Sequence, residues 1–143
     1  MFMGSYKNSI DVKSRMIIPS KYRDALGLKC VVTKGIDRCL YIYPVDEWDN
    51  FAAKLATLPK ADANARNFVR HFYANAEECE IDRQGRITIS QTLRDYAGIQ
   101  KELSTMGTGE KIEVWARDVW ENDDNAVDMD GAAIAEGMEK YGI

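Results

Sequence analysis

The chain has 143 residues, 45% of them hydrophobic, enough to build one packed domain or two small ones sharing a core. Its net charge of −4 argues against a uniformly basic nucleic-acid binder. Cys30, Cys39 and Cys79 form no Cys-x-x-Cys pair and His71 is the single histidine, so a zinc site has no support and the cysteines read as free thiols suited to a reducing cytosol. No apolar run reaches the roughly 18 residues of a membrane span, and the start lacks a signal-peptide core. The expectation is an intracellular protein, with no membrane and no small-molecule substrate among its partners.

In chain order, Tyr6 and Ile10 alternate with polar residues as in a half-covered strand. Asp11 to Ser14 predicts a tight turn, because both side chains can hydrogen-bond their own backbone. Arg15-Met-Ile-Ile predicts a second strand, which Pro19 stops. Ser20 is then expected to cap a helix over 21–26, with Gly27 closing it. Cys30–Thr33 and Cys39–Tyr43 flank a glycine-bearing turn and predict a hairpin. Asp46 is expected to cap a helix starting near Glu47-Trp48. Trp48, Phe51, Ala52, Leu55 and Leu58 make that helix amphipathic until Pro59 stops it. A further helix is expected over 62–76, with Phe68, Phe72 and Tyr73 as core and His71 as an ordinary core-edge residue.

From residue 77 the pattern is written again. A shift of 71 positions aligns residues 6–27 with 77–98 at 7 identities in 22, including Asp11/Asp82, Arg15/Arg86 and Arg23/Arg94. Leu40–Trp48 resembles Ile112–Trp120 at a shift of 72. Two anchors this far apart mark a duplication. The second copy predicts a strand, a turn over Asp82–Gly85, a strand over Arg86–Ile89, a short helix around Thr92–Ala97 and a hairpin. The Gly-x-Gly at 107–109 reads as that hairpin's turn and not as a phosphate loop. Residues 121–130 are expected to be an acidic loop. Ala132, Ile134, Ala135, Met138 and Tyr141 suggest a last short helix. The resulting units are repeat one at 1–48, a helical connector at 49–75, repeat two at 76–120 and an acidic tail at 121–143.

Charge is unevenly spread over these units. Residues 1–48 hold eight Lys/Arg against five Asp/Glu, and 49–75 hold four against two. Residues 76–120 hold six against nine, and 121–143 hold one against seven. The basic first half points to a local polyanion site. Lys7, Lys13, Arg15, Lys21 and Arg23 cluster within 17 residues of it. A catalytic alternative lacks a Ser/His/Asp grouping, and one histidine leaves little general-base capacity. No enzyme activity or cofactor is expected.

The two Asp-x-x-[Ser/Gly]-Arg turns with their Ile-rich strands, the Leu-Arg-Asp-Tyr-Ala-Gly run at 93–98 and the helical connector resemble the MraZ family. These are bacterial transcriptional regulators with tandem SpoVT/AbrB-like domains. The resemblance runs over nearly the whole chain. It implies an α+β fold in which duplicated AbrB-like repeats form a pseudo-twofold swapped-hairpin β-barrel with connecting helices. It further implies a ring-shaped homo-oligomer that binds tandem repeats in double-stranded promoter DNA, on the nucleoid, and represses the division and cell-wall gene cluster. The DNA-contacting positions carry over as Lys13 and Arg15 in the first motif and Arg83 and Arg86 in the second. Lys7 and Arg23 join them from the basic cluster, while Asp11 and Asp82 hold the turns.

Two positions depart from the pattern. Ser14 stands where a glycine is usual, so its turn must avoid or tolerate a positive φ, and Ser90 stands where Pro19 predicts proline. Glu77, Glu78 and Glu80 precede the second motif, so repeat one is expected to face DNA and repeat two to be structural or to sit in a subunit contact. A protein-interaction module of related fold and an RNA-binding role are the alternatives.

Overall fold

A computed structural model describes residues 1–122 and 131–142. The first copy comprises β1 (Ser5–Ser9), β2 (Arg15–Ile17), α1 (Ser20–Leu26) and the hairpin β3 (Lys29–Lys34) with β4 (Leu40–Pro44). Helices α2 (Val45–Ala56) and α3 (Ala63–Tyr73) follow. The second copy comprises β5 (Glu77–Glu80), β6 (Arg86–Thr88), α4 (Gln91–Ala97) and the hairpin β7 (Glu102–Gly107) with β8 (Ile112–Ala116). Then come α5 (Arg117–Asn122), α6 (Gly131–Glu136) and a 3-10 turn at Glu139–Tyr141. Most of the acidic stretch 121–130 lies outside the described residues, and its first two residues end α5.

Neither copy completes its own sheet. The first strand of each pairs with the hairpin of the other: β1 lies on β7, and β5 lies on β3. The two hairpins meet through β4 and β8. The result is a mixed α+β fold with a six-stranded sheet in the order β1-β7-β8-β4-β3-β5 and a two-stranded ribbon of β2 and β6. Strand pairing among the described residues does not close a barrel, because β1 and β5 are the two ends of that order. The Asp turns carry the chain out of the ladder after β1 and β5, leaving one isolated bridge, Ile10 to Met16, between β1 and the ribbon.

The ribbon instead covers one face of the sheet. Met16 and Ile87 are buried beneath it with Ile18, Ile89, Val32, Ile42 and Val114, and Tyr22 and Leu93 from α1 and α4 complete this core. A second core lies on the opposite face. There Tyr41, Tyr43 and Trp115 pack with Leu55 and Phe72 from the connector helices. Strand β4 shows how the sequence builds both: Leu40 and Ile42 enter the first core while Tyr41 and Tyr43 enter the second. Phe51 stacks on Tyr43 at 5.5 Å and meets Phe72 edge-on at 4.9 Å. Such pairs add about 0.5–1.5 kcal/mol each beyond area burial.

Several helix boundaries differ from expectation. Pro19, not Ser20, is the N-cap of α1, and no side chain caps it. Its fixed φ is compatible with a helix start, so the helix begins one residue early. The same logic moves the start of α2 to Val45, directly after Pro44. Asp46 then lies in the first turn, where its Oδ1 accepts from the Glu47 N–H at 2.9 Å. Helix α3 ends at Tyr73 rather than 76, freeing the chain to enter β5. Ser90, in place of the proline that Pro19 predicts, caps α4: its Oγ accepts from the Leu93 N–H at 3.4 Å and donates to Glu77 Oε2 at 2.6 Å. A Cβ on Gly107 would meet the Phe2 and Met3 backbone at 2.4 Å, so that glycine admits the N-terminal segment.

Candidate nucleic-acid interface

The two Asp turns have the same construction. Asp11 Oδ1 accepts from the Lys13 and Arg15 backbone N–H groups, each at 2.9 Å. Its Oδ2 accepts from Arg15 Nε at 2.9 Å. Asp82 repeats this on the Gln84 and Arg86 N–H groups, with Arg86 Nε at 2.8 Å. The four-residue spacing is what lets one carboxylate bind two turn amides and the guanidinium that leaves the turn. Both carboxyls titrate below the usual aspartate range, chiefly because the Arg15 or Arg86 backbone N–H stabilises the charged form. The fourth residue of each turn has positive φ: +63° at Ser14 and +77° at Gly85. Ser14 thus tolerates the strained geometry rather than avoiding it.

Pairing of β2 with β6 brings both motifs into one ribbon. Arg15 faces Thr88, Met16 faces Ile87, and Ile17 faces Arg86. Because Met16 and Ile87 point into the core, the alternate residues Arg15, Ile17, Arg86 and Thr88 form the outer face. The arginines are diagonal neighbours related by an approximate twofold axis through the Met16–Ile87 pair. They are similarly exposed, 27% and 24%. In each, the aspartate takes Nε, and the guanidinium's Nη edge makes no hydrogen bond among the described residues. An arginine held this way presents two parallel donors outward.

The family comparison runs in step with this duplication. The family described as "MraZ protein, putative antitoxin-like" matches the chain twice, over residues 1–71 and 72–135. The chain belongs to the MraZ family. Relatives named "Transcriptional regulator MraZ" cover it from end to end. The protein of Acetivibrio thermocellus is 48% identical over 143 residues, with 100% of each chain covered. Those of Thermoanaerobacter pseudethanolicus and Clostridium beijerinckii are each 46% identical, again covering 100% of both chains. That name describes regulators and not enzymes.

Within this MraZ-type framework the remaining candidate residues fall in different places. Lys13 and Arg83 are exposed at the tips of the two turns. Lys7 lies on the outer side of β1 with its Nζ 3.8 Å from Glu121 Oε1, a contact with the acidic C-terminal region that sequence reasoning missed. Arg23 is placed differently. Its Nε donates to the Ile18 carbonyl at 3.0 Å, and a Cβ on Gly85 would lie 2.3 Å from that same nitrogen. Arg23 therefore braces the end of β2 against the turn of the other copy. Its duplicate Arg94 donates to the Ile89 carbonyl at 2.6 Å. The identity of Arg23 and Arg94 in the repeat alignment was the available signal for this structural role.

Arg117 also went unnoticed. Its Nη2 donates to the Asn8 carbonyl at 2.9 Å, its Nε to the Leu103 carbonyl at 3.3 Å, and its Nη1 pairs with Glu102 at 3.0 Å. It fastens β1 to β7 across the two copies. The glutamates of β5 do not engage the second arginine. Among the described residues, the carboxylate within ion-pair distance of Arg86 is that of Asp82. His71 is a core-edge residue, with Nε2 2.8 Å from the Gly35 carbonyl oxygen. Among the described residues no group of three His, Cys, Asp or Glu side chains is placed to hold a metal ion, and no helix is long and apolar enough to cross a membrane.

Proposed function

We propose that the chain is a sequence-specific DNA-binding regulator of transcription. In this reading it represses the division and cell-wall gene cluster, binds tandem promoter repeats as a ring-shaped oligomer and resides on the nucleoid in the cytoplasm. The observation that carries the reading is the outward ribbon of β2 and β6, with Arg15 and Arg86 anchored through Nε and open along Nη. A two-stranded ribbon fits the major groove of B-DNA, where bidentate arginine to guanine is the commonest specific contact and is worth about 1–3 kcal/mol. Lys13 and Arg83, exposed in the two turns, contact flanking phosphates in this reading. The exchange of β1 and β5 between the copies supports a pseudo-twofold, swapped-hairpin unit.

Repeat one supplies the stronger contact. Local geometry treats the two arginines alike, but the exposed Glu78 and Glu80 flank the second motif, whereas Lys7 and Lys21 flank the first. One ribbon carries few charges and gives modest affinity. A ring presenting several ribbons to tandem boxes gains avidity through effective concentration.

The test is a gel shift on a promoter fragment carrying tandem repeats, with native mass spectrometry on the same samples. Arg15→Ala is expected to abolish binding at unchanged oligomer mass, and Arg86→Ala to weaken it less. Equal losses from the two variants refute the division of labour while leaving the ribbon as the interface. Full binding by both variants refutes the interface. Capture of a protein that survives high salt and ignores DNA competitor supports the interaction-module alternative.

A further inference from the structure

Helices α2 and α3, with the link between them, enclose an open groove of about 280 Å³. Leu58, Val69 and Tyr73 contribute its apolar lining, and Lys60, Arg66 and Arg70 contribute its basic rim. Among the described residues these three cations form no ion pair. Arg66 Nη1 donates to the Lys60 carbonyl at 3.0 Å and Arg70 Nη1 to Asn67 Oδ1 at 3.1 Å, both neutral partners that leave the positive charge uncompensated. Tyr73 is 47% exposed and Phe68, nearby on α3, is 41% exposed.

The C-terminal segment has the complementary character. Ile134 of α6, Met138 in the turn that follows it and Tyr141 of the 3-10 turn recur at spacings of four and three, the spacing of one side of a helix. They are 54%, 38% and 65% exposed. Glu136 and Glu139 are interspersed with them. The groove lies in the +2 connector, and the helix lies in the −6 tail. Among the described residues of one chain, an apolar helix face bearing carboxylates and an apolar groove rimmed by cations are thus both uncovered.

We propose that the C-terminal helix of one copy docks into the α2–α3 groove of a second copy. This rests on the reading of the protein as a homo-oligomer and names the surface that joins its subunits. Helix-in-groove docking uses anchors at this spacing. The contact joins two different surfaces, so each copy both gives a helix and receives one. Head-to-tail contacts of this kind close into rings when the rotation per step permits. Reciprocal exchange of the helices between two copies gives a closed dimer instead, and the native mass separates the two outcomes.

The full chain is examined by native mass spectrometry and by size exclusion over a dilution series. Arg66→Glu with Arg70→Glu is expected to raise the concentration needed for assembly roughly tenfold or more, and Glu136→Lys with Glu139→Lys to do the same. Combining all four changes restores assembly, a result that simple misfolding cannot produce. Ile134→Asp disrupts assembly without rescue by either charge set. Two differently tagged chains, one Lys60→Cys and the other Met138→Cys, are expected to cross-link to each other when mixed. Cross-linking within a single diluted chain carrying both cysteines, with none between chains, overturns the second-copy assignment. Wild-type oligomers indifferent to both charge reversals overturn the docking and leave the ring intact. A wild-type monomer at every concentration overturns the ring and the docking together.

Discussion

The fourth residue of each Asp turn offers a sharp test of how the two copies support one another. Ser14 and Gly85 occupy equivalent positions at φ +63° and +77°, yet the expected effects of exchanging their residue types are opposite. A left-handed conformation costs a residue with a Cβ about 1–2 kcal/mol. Ser14→Gly removes that cost and keeps the Ser14 carbonyl, which accepts from the Ile89 N–H at 2.9 Å. The extra freedom of glycine in the unfolded chain returns about 0.5–1 kcal/mol. The net expectation is a gain of roughly 0.5–1 kcal/mol, or about 1–4 °C in Tm for a chain of this size. Gly85→Ser adds the same strain and also drives a Cβ to 2.3 Å from Arg23 Nε. Arg23 must then release the Ile18 carbonyl, and a hydrogen bond from a charged donor is worth about 1.5–3 kcal/mol. The total loss is expected near 2–4 kcal/mol. Urea unfolding at fixed protomer concentration measures both changes as midpoint shifts at constant slope. In an Arg23→Ala background the clash disappears, so Gly85→Ser is expected to cost only about 1 kcal/mol there. Equal costs in the two backgrounds, or a destabilising Ser14→Gly, refute the brace.

Two further outcomes follow from the titrating groups. The Asp11 and Asp82 carboxyls are held below their unfolded value, so the stability they contribute is present above about pH 4 and lost as pH falls through the lower folded values. Asp11→Asn and Asp82→Asn are each expected to flatten the acid limb of a stability-versus-pH curve followed by circular dichroism. Burial pushes the Cys30 thiol up to about 12 and the Cys79 thiol up to about 11, and it also raises that of Cys39. Iodoacetamide at pH 8 is therefore expected to modify Cys79 roughly a hundredfold more slowly than a free cysteine, and Cys30 and Cys39 only on unfolding. Mass spectrometry of the alkylated protein reads both.

Local features were legible from residues alone because their determinants lie within a few positions. The Asp turns, the two hairpins and the amphipathic connector all follow from spacing, and the 71-residue duplication follows from identities at equivalent positions. What could not be read was which strand each short strand joins. Arg15 and Arg86 lie 71 positions apart, and three-residue strands carry no register signal strong enough to pair them. The shared ribbon therefore came from the fold, as did Arg23's contact with Gly85, which spans the two copies. A cationic cluster in sequence looks uniform. In space it divides into an anchored arginine on the ribbon, an exposed lysine at a turn tip, the half-buried brace Arg23, and Lys7 beside Glu121.

That division predicts different roles in DNA binding for residues of the same sign. Arg15 is aimed: Asp11 fixes its Nε and leaves two Nη donors in a plane, the geometry that matches guanine O6 and N7. Lys13 has no such anchor among the described residues and offers a compact charge suited to phosphate. Lys13→Ala is therefore expected to weaken binding to any duplex and to reduce the slope of log K against log salt by about 0.9. Arg15→Ala is expected to cost about 1–3 kcal/mol per engaged site on the promoter repeats and much less on a scrambled duplex. Asp11→Asn is the discriminating variant, since it keeps the arginine charge but weakens the anchor that aims it. Its expected signature is lost preference for the promoter sequence at a nearly unchanged salt slope, measured by fluorescence anisotropy on both duplexes. If Arg15→Ala instead weakens the two duplexes equally and lowers the slope by about one, Arg15 contacts phosphate, and the aspartate serves the turn alone.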